Sequence, residues 1–443
     1  MLPRTTQSAL ALACTAAALV TLSACGSSSG AKTTTDAAAA KKPVTISYWS
    51  WTGNSQAVVD EFNKTHTDVH VDFTQIPTGT GGGYQKIFDA IKAGTAPDIF
   101  NCEYQALPDF ASQGDLQDLT ASITPALKAG VATQAWNMST LGGETWSVPF
   151  DFEPTVLYYR KDLFKKYGLT VPTTWAQYQA DAQKLKAADP KAALAEVSPD
   201  DQSFLEALAW ANGAQWFTTQ GSSWKVNLDD APTQQVTAYW QHLIGAGLVK
   251  QQLLANTTTI TADLKNNLVL TQIAATSNAS NLVTTLPSES GDWAIAPLPS
   301  FNGQASTGMQ GGSSIAVTKS SKQLAADMEF ATWYATNADA AKTKLGTNGP
   351  SLSFAAPTNE AAAAKLFNTS YFGGQDVYGL FSTVTKSVNP NWVWGPVQTD
   401  TNAVLKSEFA KVVTGGTFAA GLQAGQTQTL SDMKARGLSV SAG

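Results

Sequence analysis

The segment NPNWVWGP, Asn389 to Pro396, sets two indoles, Trp392 and Trp394, on a stretch framed by Pro390, Gly395 and Pro396. Proline and glycine punctuate loops, and loops run over surfaces. Two large rings there either plug the core from outside or face something that is not always present. A proline-framed mount suits the second role, because proline removes chain freedom that binding would otherwise have to freeze. The two rings are two residues apart, so in an extended segment they point the same way. Asp151 and Glu153 are spaced likewise in WSVPFDFEPTVLYYRKDLF, Trp146 to Phe164. As a hydrolytic acid/base pair they would need carboxyls about 5 Å or more apart across a scissile bond, usually from separate elements. On one extended segment they suit accepting hydrogen bonds from a shared ligand, or a structural pairing such as one with Arg160.

Other chemistry is thin. The glycine run Thr78 to Gly83 lacks the Lys-Ser/Thr that a phosphate-binding loop needs. Gly26 to Gly30 matches the G-x-S-x-G pattern of hydrolases but has no strand before it and no helix after it. His66 and His70 are four apart, but one ends a helix and the other enters a strand, so no metal site and no cofactor are expected. Cys102 has no histidine near it in sequence and reads as a small buried filler.

These residues sit in a chain of 443 residues, long enough for two to three domains, with 43% hydrophobic residues. Charged residues make up only 14% and the formal net charge is −6, with no basic patch, which argues against nucleic acid as a partner. Thirteen tryptophans are present, and flat aromatic faces suit neutral rings better than ions. The N-terminus reads as an export signal: Arg4, an apolar run from Ala9 to Leu22, then Leu22-Ser23-Ala24-Cys25. The LSAC tetrapeptide resembles a bacterial lipobox, which implies a signal peptide over residues 1–24, cleavage before Cys25 and lipid on its thiol. More than one acyl chain would hold the chain stably at a membrane. Cys14 lies in the signal, so no intramolecular disulfide remains possible. Residues 25–43 carry almost no bulky apolar side chain and read as a flexible tether.

Folded structure starts at Val44. VTISYW and VHVDF alternate as strands, and Val58, Val59 and Phe62 share one face of a helix between them. Tyr84, Ile87, Phe88 and Ile91 mark a second helix, which Gly94 stops, and PDIFNC is a third strand. Strand, helix, strand, helix, strand within about 60 residues predicts a parallel sheet with helices on both faces. Ligands at such sheets gather beyond the carboxyl ends of the strands. This rule points to Trp51, Asn54 and Ser55 after the first strand and to Glu103 and Tyr104 after the third; N-capping of the following helix is the other role open to Asn54 and Ser55. Helices are expected over 204–216, 233–244, 324–336, 401–413 and 418–435, and a strand in GGSSIAVTK, Gly311 to Lys319.

Taken in order, the lipobox, VTISYWSW, EFNKTHTDVHV, GTAPDIF, QGDLQDL, WSVPFDFEPTVLYYRKDLF, VPTTWAQY, GGSSIAVTK and NPNWVWGP resemble the family 1 extracellular solute-binding proteins, the sugar-capturing lipoproteins of ABC importers. The likeness covers nearly the whole mature chain. It implies a two-lobed α/β fold of the periplasmic-binding-protein type (type II), each lobe a sheet flanked by helices, with hinge strands between. Crossings are expected near Phe150, Gly311 and Ser351. Lobe 1 is then 44–150 plus 311–350, and lobe 2 is 151–310 plus 351–443. The resemblance further implies a monomer on the extracytoplasmic face of the cell membrane, delivering a sugar to the importer's membrane subunits, with no bond made or broken.

A neutral sugar offers hydroxyls at its edge and weakly apolar C–H faces, so its site interleaves tryptophan with charged acceptors. Trp392, Trp394, Asp151, Glu153, Trp51, Asn54, Ser55, Glu103 and Tyr104 are the expected contacts. Trp216 joins them, with a core position as its other role, and Gly312 and Ser313 would let backbone approach the ligand. Asn278 and Asn281 are further candidates; relatives often carry an aromatic residue where Asn281 falls, which suggests a more polar subsite here. Two rival readings use the same residues: the same fold holding a polyamine or a peptide, and a secreted carbohydrate-active enzyme.

Overall fold

The computed structural model describes residues 42–346 and 353–443. The signal peptide, Cys25, the tether as far as Lys41 and the crossing expected at Ser351 lie outside the described residues.

The N-terminal pattern folds as its periodicity predicts. Strand β1 (Val44–Ser50) turns Ile46, Tyr48 and Ser50 inward, and helix α1 (Ser55–Thr65) buries Val58, Val59 and Phe62. Strand β2 (Val69–Gln75) pairs with β1 in parallel from Val44↔Val69 to Ser50↔Gln75. Helix α2 (Gly83–Ala93) ends at Gly94, whose φ of 70° is left-handed and whose N–H closes on the carbonyls of Ala90 and Ile91. Strand β3 (Ile99–Glu103) follows on the other side of β1, and a short helix α3 (Leu107–Ser112) leaves it.

The sheet then departs from the all-parallel expectation. Strand β4 (Ser147–Pro149) lies at its far edge, and the chain leaves it for a second sheet through strand β5 (Thr155–Arg160). Helix α4 (Gln202–Ala211) is shorter than expected, because Gly213 takes φ 94° and turns the chain before Trp216. Strand β6 (Thr271–Ala275), helix α5 (Asn278–Thr285) and strand β7 (Trp293–Ala296) follow, with β6 and β7 antiparallel to β5 on either side. Strand β8 (Ser313–Val317) returns to the first sheet between β3 and β4, antiparallel to both, giving the order β2-β1-β3-β8-β4. A late strand filling a gap in the first sheet is a non-local pairing, which local periodicity does not report.

Helices α6 (Leu324–Thr336) and α7 (Ala338–Leu345) belong with the first sheet; α8 (Pro357–Ala364), α9 (Gln398–Phe409) and α10 (Phe418–Ala435) complete the chain. Between the two sheets, three stretches are laced by backbone hydrogen bonds. Phe150 and Asp151 donate to Ser313 O, Phe152 to Ser353 O (2.7 Å), Ala355 to Phe150 O (3.1 Å) and Gln310 to Glu153 O (3.1 Å). No helix among the described residues is long and apolar enough to cross a membrane.

Candidate functional site

A cleft of about 960 Å³ opens between the segments that follow the first sheet's strands and those around α4 and α9, with Met309 to Gly312 at its base. That volume is in the range of small-molecule sites. The base is backbone by necessity. Gly312 has φ 108°, and a Cβ there would come within 2.7 Å of Met309 and 2.9 Å of Tyr104.

Four buried or half-buried carboxylates line the cleft, Asp115 toward its rim and three others. Glu103 ends β3 and accepts from the Tyr84 hydroxyl and from Gln105 Nε2 at 3.1 Å. Asp201, just before α4, accepts from Ser203 Oγ at 2.5 Å and Gln310 Nε2 at 3.0 Å. Glu206, 1% exposed, accepts from Gln398 Nε2 at 3.3 Å. Burial pushes all three above the ordinary carboxyl range; neighbouring Asp201 adds to the effect on Glu206, while the hydrogen bonds oppose it. Trp394 adds a ring to the same wall, 8% exposed, with no hydrogen-bond partner for its indole N–H.

The two indoles of NPNWVWGP part company. The loop is fastened to α4 by Trp210 Nε1, which donates to Asn389 O at 2.6 Å. Trp392 then lies flat on Trp210, centroids 5.3 Å apart and planes at 10°, and is 2% exposed. Trp394 stands edge-on to it at 83° and reaches the cleft. The segment is not a strand, so the same-face expectation is corrected. Gly395 permits this turn, since a Cβ there would strike the Phe217 ring at 2.3 Å.

Glu103, Gly312 and Trp394 are thus brought together on the cleft, and the other expected contacts stand elsewhere. Asp151 and Glu153 lie in the hinge lacing. Asp151 accepts the Ser313 N–H, Glu153 accepts the Ser277 hydroxyl, and neither pairs with Arg160, which holds Asp162, Glu289 and Asp292 instead. Burial raises both carboxyls, Asp151 further through Glu153 and Glu153 to about 7. Tyr104 is buried beneath the base, its hydroxyl donating to Asp151 O at 2.7 Å. Trp51 packs edge-on to Tyr84 at 5.5 Å. Asn54 takes φ 61° and donates to Lys344 O at 2.8 Å, while Ser55 is buried and donates to Thr52 O; neither side chain caps α1. Trp216 is a core residue whose indole donates to Thr233 Oγ1 at 2.8 Å. Asn278 donates to Gln272 Oε1 at 2.7 Å, and Asn281 is exposed beside it. Hinge bonding explains the placement of Asp151, Glu153 and Tyr104: polar groups next to a hinge are needed to close the hinge's own hydrogen bonds.

Among the cleft residues not anticipated from sequence are Gln105, Asp201, Glu206, Gln310 and Asn402. Glu206 had a signal: it is the one charge inside the otherwise apolar run FLEALAWA. The two sides of the cleft also touch directly. The carboxamides of Gln105 and Asn402 meet at 2.9 Å, and Asp109 on α3 accepts from Thr399 N at 2.9 Å and Arg436 Nη1 at 3.0 Å. Asp109 is fully buried, and desolvation raises it to about 7 despite the arginine. No group of three metal-ligating side chains occurs among the described residues. Cys102 is buried and its thiol is pushed up by desolvation.

Comparison with known proteins extends the geometry. A family model for bacterial extracellular solute-binding proteins matches residues 48–341. The lactose-binding protein of Rhizobium radiobacter is 24% identical over 395 residues, covering 84% of this chain and 88% of that protein. An uncharacterized lipoprotein from the oleD 5′ region of Streptomyces antibioticus is 31% identical over 163 residues, 33% of this chain; the match spans 35% of that relative's length. The galacto-N-biose/lacto-N-biose I-binding protein of an ABC transporter from Bifidobacterium longum, solved with lacto-N-biose, superposes with a TM-score of 0.80 at 27% identity, over 90% of this chain and 99% of that one.

Proposed function

The chain belongs to the family of bacterial extracellular solute-binding proteins, and on that premise we propose that it captures a sugar, mono- or oligosaccharide, for an ABC importer. The observation that carries this reading is the cleft itself: Glu103 from one side and Glu206, Asp201 and Trp394 from the other face a shared cavity of about 960 Å³. Carboxylates accept strongly from hydroxyls, and an indole offers a plate for a C–H face. The lactose-binding relative and the lacto-N-biose complex support the same class of ligand.

In this reading residues 44–150 and 311–350 form lobe 1 and residues 151–310 and 351–443 form lobe 2. Ligand bridges them and stabilises the closed arrangement, because it binds that state better than the open one. The closed form docks on the importer's membrane subunits, and Cys25 tethers a monomer to the membrane by lipid. Family and relatives are binding proteins rather than enzymes.

A melting-temperature screen over mono- and oligosaccharides tests the reading, followed by titration calorimetry on each hit. A rise with at least one sugar, saturating at about micromolar affinity, or about −8 kcal/mol, is expected. Stabilisation by peptides or polyamines alone would refute it. Replacing Cys25 with alanine should release the chain from the membrane fraction.

A further inference from the structure

The cleft is short of cations where it is deepest. Its exposed or half-buried rim carries three acids, Asp89, Asp115 and Asp400, and three bases, Lys92, Lys406 and Arg436. These balance one another, and Arg436 is already committed to Asp109 and Asp400. Glu103, Asp201 and Glu206 are left over. Their partners are a phenol, a hydroxyl and carboxamides, and among the described residues none of the three takes part in an ion pair.

Elsewhere two buried carboxylates are matched by arginine, while Asp151, Glu153 and Asp327 have only neutral hydrogen-bond partners. Arg160 holds Glu289 at 3.1 Å in the second half, and Arg436 holds Asp109 at 3.0 Å. Unpaired buried carboxylates are costly unless a cation reaches them. The same wall also carries polar atoms without a partner among the described residues. Trp394 is 8% exposed with its N–H unpartnered, and Gln310 Oε1 is buried without a donor. One free donor and one free acceptor beside three uncompensated acceptors describe a ligand rich in donors, with a ring, a hydroxyl edge and a positive charge.

We infer that the sugar is an amino sugar with a free, protonated amine, its ammonium seated beside Glu206 and Asp201, with Glu103 facing the same cavity. The inference rests on the sugar reading above and narrows it. Burial holds the three carboxyls above their ordinary range. An entering ammonium favours their charged forms, so binding should release protons to solvent; a neutral hydroxyl has no such leverage.

The test is calorimetric titration at pH 7 of the full chain with glucosamine and galactosamine and their β-linked disaccharides, each beside its N-acetyl and hydroxyl parents, with spermidine as a ringless cation. A free-amine sugar is expected to bind about tenfold more tightly than both its parents, as a charge-assisted bond does over a neutral one. Its heat should change between phosphate and Tris by the amount that proton release dictates. Glu206→Gln should weaken the free-amine sugar more than its hydroxyl parent, bringing the ratio of their affinities close to one and abolishing the buffer-dependent heat; Asp201→Asn gives the same readout should the first variant not fold. Equal or tighter binding of the N-acetyl or hydroxyl parent overturns the inference and leaves the sugar reading standing. Binding of spermidine with no sugar overturns both, and binding of nothing in the panel overturns the inference.

Discussion

Two sets of buried carboxylates lie within one stretch of the molecule, and they are held differently. In the hinge, Asp151 accepts from the backbone N–H of Ser313, which is itself part of the lacing between sheets. On the cleft, Glu103 and Glu206 are held by side chains, and Asp201 by side chains together with the backbone of Ser203 and Phe204. A backbone donor in a laced strand cannot leave its acceptor without opening the hinge. A phenol or carboxamide can turn toward a ligand at the cost of a rotamer. Carboxylates therefore build the frame in one place and line an open cleft in the other. The two indoles repeat the lesson: Trp392 is clamped in a tryptophan stack, while Trp394, two residues on, is given to the cleft.

The largest effect that sharpens this comparison is Trp392→Ala. It should cost about 3–5 kcal/mol in denaturant unfolding, as core Trp truncations do. Trp394→Ala should lose less stability and instead weaken ligand binding by about 2 kcal/mol, the scale of a hot-spot ring. Equal stability losses with unchanged affinity for both would erase the division between them. Next comes Asp151→Ala, which leaves the Ser313 N–H buried without an acceptor and should cost about 1–3 kcal/mol of stability. Glu206→Gln should go the other way, keeping or raising the stability of the protein measured without added sugar, because it replaces an unpaired buried acid with a neutral amide. A large destabilisation by Glu206→Gln would place it with the frame.

The smallest effect is set by pH. Asp109 and Glu153 are both raised to about 7 by burial. Between the ordinary carboxyl range and about pH 7 the folded chain holds protons that the unfolded chain has released, so stability falls as pH rises through that window. The melting temperature of the ligand-free protein should drop by a few degrees from pH 5 to pH 8. Arg436→Ala, which removes the cation beside Asp109, should deepen that drop; a flat profile in both would remove Asp109 from this account.

Much of the frame was legible from spacing. The alternation in VTISYW and the stripe Val58, Val59, Phe62 predicted β1 and α1, and helices α6 and α10 match their expected spans. Helix α4 was read too long because Gly213 acts through a positive φ rather than through hydrophobic pattern. The site was far less legible. The rule that ligands gather at strand ends found Glu103, but gave the same weight to Asn54 and Ser55, whose bonds go to Lys344 and Thr52. Asp201, Gln310 and Asn402 carry no pattern at all in the sequence, because nothing local distinguishes a polar residue on a cleft from one on any surface.

Sequence alone determined which segments would be strands and helices, the family to which the chain belongs and the kinds of side chain available for binding. Those follow from periodicities of two and 3.6 residues and from the order of short motifs, all of them local properties of the chain. Tertiary structure decided which acids are framed and which are free, which of two neighbouring indoles meets the cleft, and where β8 enters the first sheet. These depend on contacts between residues more than a hundred positions apart, such as Glu153 with Ser277 and Asp109 with Arg436. The energy of such contacts exists only once burial has removed water from both partners.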